Sequence, residues 1–182
     1  MDRPADSCYA CVQRPFPMRQ VRTAVYFSGP VQTLIHKFKY ENMFALARPL
    51  ADWMAQSWPQ WDYVPDMIVP IPLHRHRQQA RGYNQSELLA AQLCRHVGLP
   101  LMTTLLRRER YTQPQVGLSA VDRHANLSGA FTADADLVHG KHILLIDDVF
   151  TTGATLSVAT EILLTAGAQT VSGYCLARAK QR

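Results

Sequence analysis

Two spacings of apolar residues alternate along this chain and predict alternating strands and helices. Short runs rich in branched residues indicate buried strands, whereas apolar residues three and four positions apart indicate one face of a helix. The predicted strands are Thr23–Phe27, Met67–Ile71, His142–Ile146 and Val171–Leu176. The predicted helices are one that begins at Pro30 and those over Asn42–Trp58, Asn84–Val97 and Gly153–Ala166. This order favours an α/β fold, a mainly parallel twisted sheet flanked by helices.

Polar residues mark the ends of two of the predicted helices. Asn84 and Glu87 have the spacing of a capping box at a helix start, and Gly98 is a typical stop. Ser119 and Asp122 predict a further capped helix in the same way. We find no internal repeat and no low-complexity segment.

Length and composition indicate one globular domain with a small appendage. The chain has 182 residues, of which 47% are hydrophobic and 18% charged, so it is neither disordered nor too short to bury a core. We expect the main domain over 21–182 and an irregular segment over 1–20. No apolar run is long enough to cross a bilayer, and the first residues do not resemble a signal peptide, so we expect a cytoplasmic protein without membrane insertion. The net charge of +5 favours anionic ligands.

The most informative stretch joins two carboxylates to a loop rich in hydroxyl groups. Asp147 and Asp148 follow the predicted strand His142–Ile146, and open α/β sheets bind ligands at the carboxyl ends of their strands. The loop that follows opens a helix and supplies hydroxyls and backbone N–H groups to a phosphate. Its residues are Thr151, Thr152, Gly153, Ala154 and Thr155. Acids beside a phosphate site suit a ligand with both a sugar diol and a phosphate. The alternative is an ordinary strand–turn–helix unit with a threonine cap.

A second anion site is predicted where a basic loop follows the strand Met67–Ile71. Arg75, Arg77 and Arg81 are suited to holding a pyrophosphate through paired hydrogen bonds. His74 and His76 in the same loop do not have the spacing of a metal pair. The alternative is a solvated loop.

A third polar segment runs from Leu106 to Phe131, with few large apolar residues before Leu118. Its flexible-loop candidates are Arg107, Arg108, Thr112 and Gln115. A polar segment of this length is typical of a mobile lid that shuts water out of a reaction, and we expect residues 107–117 to close on ligand. The alternative is a surface loop whose charges serve solubility.

These motifs resemble a known family. The segment Ile143–Thr155 is similar to the phosphoribosyl-pyrophosphate (PRPP) motif of type I phosphoribosyltransferases. With five further segments, the chain resembles the ComF (GntX-like) family, which is linked to DNA uptake and use in bacteria. Those segments are Leu34–Tyr40, Val69–Leu73, Arg81–Gln85, Thr112–Ser119 and Arg123–Leu127. Lys37 and Lys39 match the basic residues of the family's first helix, and the alternative for them is a solvated helix face.

The resemblance implies a phosphoribosyltransferase that binds PRPP with Mg²⁺ and releases pyrophosphate as the phosphoribosyl group passes to an acceptor. By that resemblance, Asp147 and Asp148 hold the ribose diol and support catalysis, residues 151–155 hold the 5′-phosphate, and Arg75 and Arg81 bind the pyrophosphate. Alternatives are a non-catalytic PRPP sensor and a protein that handles single-stranded DNA with the same fold, in contact with other competence proteins. The sequence identifies neither the acceptor nor the oligomeric state.

Zinc is the point at which the chain departs from the family pattern. Family members usually begin with a zinc module of two Cys-x-x-Cys pairs, whereas this chain has Cys8 and Cys11 alone in that position. Zinc needs four ligands, and Cys94 and Cys175 fall in a predicted core helix and core strand. We therefore expect residues 1–20 to be a remnant of the module or a truncated start, without zinc.

Overall fold

The computed structural model describes residues 16–110, 127 and 129–179, and a parallel sheet lies at its centre. Its strands are β1 (Gln20–Tyr26), β2 (Met67–Pro70), β5 (His142–Phe150) and β6 (Thr170–Arg178). They lie in the order β1-β6-β5-β2, and each of the three strand pairs is parallel. The four strands predicted from the sequence are all present, so the predicted α/β class is confirmed.

The predicted helices are also present, with ends that differ by a few residues. In the described part of the chain the helices are α1 (Gly29–Tyr40), α2 (Ala47–Gln56), α3 (Arg75–Arg81), α4 (Gln85–Val97), α5 (Ala135–Val138) and α6 (Ala154–Thr165). A 3₁₀ turn over Phe44–Leu46 precedes α2, in place of the single helix predicted there. The Asn84 side chain caps α4 by accepting a hydrogen bond from the Ser86 N–H at 3.1 Å.

Alternating side chains of β5 divide the interior into two cores. Ile143 and Leu145 belong to the core that includes Leu156 of α6, whereas Leu144 and Ile146 belong to the core on the other face. That second core contains buried side chains from α1, α2 and α4. Because every second residue faces the same way, a strand covered on both faces must be apolar throughout. This is why residues 143–146 form an unbroken apolar run.

The segment predicted as a long loop is a strand at each of its ends. β3 (Leu106–Arg108) pairs antiparallel with β4 (Phe131–Ala133), with Arg108 opposite Phe131. Arg107 and Arg108 therefore lie in a paired strand and not in an irregular loop, and their closure on ligand stays a prediction. Thr112, Gln115 and the helix predicted from Ser119 lie outside the described residues.

Helix α3 corrects a second prediction. The basic stretch after β2 was expected to be a loop, but Arg75–Arg81 is helical and follows the cap residue His74. The Nδ1 atom of His74 accepts a hydrogen bond from the His76 N–H at 3.3 Å, and Gly82 ends the helix with φ of 80°. None of the seven residues is buried, so no apolar spacing signals the helix.

Strand β5 is longer than predicted, and this creates the opening of the site. Pro70, the last residue of β2, pairs with Ile146, whereas β5 continues through Asp147 to Phe150 beside β6 alone. The edge of β5 next to β2 is therefore open from Asp147 onward. Among the described residues, no helix is long and apolar enough to span a membrane.

Candidate functional site

A cleft of about 660 Å³ lies at the carboxyl end of the sheet, beyond the last residue of β2. Asp147, Asp148, Thr151 and Thr155 contribute to one part of its lining. Three arginines contribute to another part, and they are Arg77, Arg81 and Arg108. The predicted acid pair and the predicted phosphate loop thus border one space, together with cations suited to an anionic ligand.

The two carboxylates are held by donors from other elements. Asp147 Oδ1 accepts hydrogen bonds from the Ser86 hydroxyl at 3.0 Å and from the Asp148 N–H at 2.9 Å. Asp148 is buried, and its Oδ1 lies 2.7 Å from the Lys39 ammonium nitrogen. Ser86 lies in the first turn of α4, whose position is fixed by the hydrogen bond from Asn84 Nδ2 to the carbonyl of Ile71, 3.0 Å long. The acid pair is therefore preorganised by α1 and α4.

Burial and mutual repulsion change the protonation of the acid pair. Burial, together with the neighbouring charge of Asp148, raises the pKa of Asp147 to about 7, although Lys39 and two hydrogen bonds act against the shift. Burial acts to lower the pKa of Lys39, but the charge and hydrogen bond of Asp148 outweigh it, so the pKa of Lys39 is raised. Lys39 is therefore an ammonium ion at neutral pH, and Asp147 is an acid that a bound cation would deprotonate.

The arginines that border the cleft differ in part from those predicted. Arg77 and Arg81 are four residues apart and share the face of α3 that borders the cleft, whereas Arg75 is exposed and does not contribute to the lining. Arg81 donates to Gln85 Oε1 at 2.5 Å, and its guanidinium lies 5.1 Å from the centre of the Tyr40 ring. The structure therefore brings Arg77 and Arg81 to the site and leaves Arg75 outside the lining of the cleft.

Strand β3 places Arg108 in the cleft and Arg107 outside it. The Arg108 guanidinium lies 5.4 Å from the centre of the Phe131 ring on β4. Burial and the nearby charge of Arg77 lower the pKa of Arg108 to about 10. Arg107 is exposed, and its Nε donates to the carbonyl of Thr104 at 3.3 Å. Neighbouring residues of a strand face opposite ways, which explains the difference.

The glycine of the predicted phosphate loop lies at a position where the backbone conformation favours glycine. Gly153 precedes α6 with φ of 79°, a left-handed conformation that L side chains rarely adopt. Thr151 and Thr155 border the main cleft, and Gly153 and Ala154 border a smaller recess next to it. The Thr152 hydroxyl accepts from the Ala154 N–H at 3.5 Å, a weak contact across the turn.

Sequence reasoning missed Ser86 and left open whether Lys39 belongs to the site or to a solvated helix face. Ser86 carries no sequence signal, because its contact with Asp147 joins elements far apart in the chain. For Lys39 the sequence does carry a signal, which is its distance from Ile35. Lys39 lies four positions after the buried Ile35, so the helix turns its side chain towards the interior and not towards solvent, the alternative given for it.

The donors at this site do not fit a metal ion bound directly by the protein. Asp148 is paired with Lys39, and Asp147 Oδ1 already accepts two hydrogen bonds. In the part of the chain that the structure describes, no group of three His, Cys, Asp or Glu side chains is arranged to hold a metal. Burial raises the pKa of the Cys94 thiol to about 11 and raises that of the Cys175 thiol well above its ordinary value, in keeping with the apolar role expected of them. Cys8 and Cys11 lie outside the described residues.

Comparison with known proteins identifies the class. Residues 38–182 match the family model of the phosphoribosyl transferase domain. Among solved structures, the glutamine PRPP amidotransferase of B. subtilis complexed with ADP and GMP is similar with a TM-score of 0.50. It is 20% identical, and the match covers 72% of this chain and 26% of that one, so it supports the fold alone. The chain is thus a type I phosphoribosyltransferase-like α/β domain.

Curated relatives define the family more narrowly. Competence protein F of Haemophilus influenzae is 33% identical over 183 residues, which covers 96% of this chain and 80% of that protein. DNA utilization protein YhgH of Escherichia coli K12 is 34% identical over 176 residues, covering 94% of this chain and 77% of that protein. The chain belongs to the ComF family, as its motifs indicated.

Proposed function

We propose that this protein binds PRPP in the cleft and transfers its phosphoribosyl group to an acceptor, with release of pyrophosphate. The observation that carries the proposal is that one cleft joins an acid pair, a helix-opening hydroxyl loop and three arginines. Each of these three sets of groups is chemically suited to a different part of PRPP. The loop suits the 5′-phosphate, the carboxylates suit the ribose diol, and the arginines suit the pyrophosphate.

The proposed reaction breaks the bond between ribose C1 and the pyrophosphate oxygen. The electron pair leaves with pyrophosphate, and positive charge develops on the ribose ring. Asp147 and Asp148 favour that charge, while Arg77, Arg81 and Arg108 stabilise the departing anion. The acceptor supplies the electron pair of the new bond to C1 and loses a proton. We propose that Mg²⁺ enters with PRPP on the ligand's own oxygens, because the acid pair is already occupied.

The acid pair provides the test of this assignment. Replacing Asp147 and Asp148 together by asparagine removes both charged acceptors and should weaken PRPP binding about ten- to a hundredfold. Asp134→Asn with Asp136→Asn is the matched control, because both residues are exposed and the charge change is the same. Calorimetry in the presence of Mg²⁺ measures both affinities. Unchanged PRPP affinity in the Asp147 and Asp148 variant would contradict the site.

A second candidate function is the handling of single-stranded DNA, with PRPP as a signal and without catalysis. The names of the curated relatives favour it, since they refer to competence and DNA utilization, and so does the net charge of +5. Pyrophosphate release with candidate acceptors supports the transferase. A shift of single-stranded oligonucleotides in a gel that changes with PRPP, without pyrophosphate release, supports the second candidate.

A further inference from the structure

The ion pair between Lys39 and Asp148 occupies the acid pair, but the function proposed above assigns no role to Lys39 itself. Lys39 Nζ lies 2.7 Å from Asp148 Oδ1, and the two side chains are only 23% and 10% exposed. Lys39 lies near the end of α1, whereas Asp148 lies in β5, so packing between distant parts of the chain brings the two together. The ion pair is therefore built into the fold.

The contact determines which cations the acid pair can accept. A divalent metal ion needs carboxylate oxygens at about 2.0–2.6 Å, and it needs them without a competing cation. The Lys39 ammonium occupies Asp148 Oδ1, and a second positive ion beside it would be repelled across a poorly solvated space. Without that ammonium, the Asp148 carboxylate would stand beside Asp147 without a counter-ion, an arrangement that attracts divalent metals.

We propose that Lys39 is the built-in counter-ion of the acid pair and excludes free divalent metal ions from Asp148. The cleft then admits a metal only as a complex with a phosphate-bearing ligand, whose own oxygens hold the ion. This deepens the proposed function, because it makes Lys39 the reason that the metal stays with the ligand. The exclusion itself is a property of Lys39 and Asp148, and it can be measured without PRPP.

The test measures Mn²⁺ binding to the protein alone, from the electron paramagnetic resonance signal of the free ion. Lys39→Met removes the charge and keeps an apolar chain of similar length. It should bind Mn²⁺ about tenfold or more tightly than the wild type. Lys37→Met, on the same helix and partly exposed, is the matched control and should behave as the wild type. Lys39→Arg keeps the positive charge and should also exclude the metal.

A third variant locates the metal. Adding Asp148→Asn to Lys39→Met should abolish the gain in Mn²⁺ affinity, since the side-chain oxygen that Lys39 no longer contacts then belongs to a neutral amide. If Lys39→Met is only marginally stable, Mn²⁺ should raise its melting temperature and leave that of the wild type unchanged. The inference is overturned if wild type and Lys39→Met bind Mn²⁺ equally, or if the gain survives Asp148→Asn.

The outcome is separate from that of the proposed function. A protein with this pattern of Mn²⁺ binding that fails to bind PRPP keeps the role of Lys39 and loses the transferase. A protein that binds PRPP through the acid pair, with no gain of metal in Lys39→Met, keeps the transferase and loses the role of Lys39.

Discussion

Asp147 shows how a single side chain acquires properties that its sequence position does not carry. Its carboxyl group is placed beside Asp148 and under the Ser86 hydroxyl, and burial with the neighbouring charge raises its pKa to about 7. In the unfolded chain the pKa returns to the ordinary value near 3.8. At pH values between these two pKa values, the folded protein therefore binds a proton that the unfolded chain does not. The free energy of unfolding falls as the pH rises from about 4 to 7.

We predict that Asp147→Asn removes this part of the pH dependence. At pH 7.5 the variant should be more stable than the wild type, because the folded wild type must hold a charge in a buried place. At pH 4.5 the two should be nearly equal, because the asparagine oxygen can accept the same two hydrogen bonds. Urea unfolding at both pH values measures the difference, with the exposed Asp136→Asn as control. A difference of the same size at both pH values would contradict the shifted pKa.

At the scale of elements, the sequence predicts those segments whose apolar spacing reflects burial. Strand β5 and helix α4 were recognised because their inner faces are apolar and because Asn84 and Gly98 mark the ends of the helix. Helix α3 was missed because no residue in Arg75–Arg81 is buried, and β3 and β4 because three residues are too few to show a period. The acid pair and phosphate loop are local in sequence and could be predicted, whereas Lys39 and Ser86 join the site through tertiary packing.

Helix α3 gives a prediction that depends on its being a helix. Arg77 borders the cleft, and Arg75, two positions earlier on a helix of 3.6 residues per turn, is exposed elsewhere. Arg77→Ala should weaken the binding of pyrophosphate about tenfold, the value of one lost charge-assisted hydrogen bond, whereas Arg75→Ala should have little effect. Calorimetry with pyrophosphate alone compares the two variants, which lose the same charge from the same helix. If this segment were a loop, as the sequence predicts, Arg75→Ala would have the larger effect on pyrophosphate binding or the two variants would have equal effects.

At the scale of the whole molecule, the cleft lies at the ends of the adjacent strands β2 and β5, whose following helices cover opposite faces of the sheet. Helix α4, after β2, packs in one core and helix α6, after β5, packs in the other, and open α/β sheets bind ligands at such a point. Most of the lining comes from α1, the segment from β2 through the first turn of α4, β3, β5 and the start of α6. A ligand in this space contacts elements that contribute to both cores, so only the folded chain binds it.

We therefore predict that PRPP with Mg²⁺ stabilises the whole domain. At a concentration a hundredfold above its dissociation constant, a ligand that binds only the folded state adds about 2.7 kcal/mol to the free energy of unfolding. For a domain of this size that corresponds to a rise in melting temperature of about 5–10 °C. Ribose 5-phosphate and pyrophosphate should each give a smaller rise at the same concentration, since each reaches only part of the lining.

Scanning calorimetry makes the comparison, with the double variant Asp147→Asn and Asp148→Asn as control. An equal rise in that variant would mean that the stabilising contacts lie away from the acid pair. No rise with any of the three ligands would mean that the cleft binds a different class of anion.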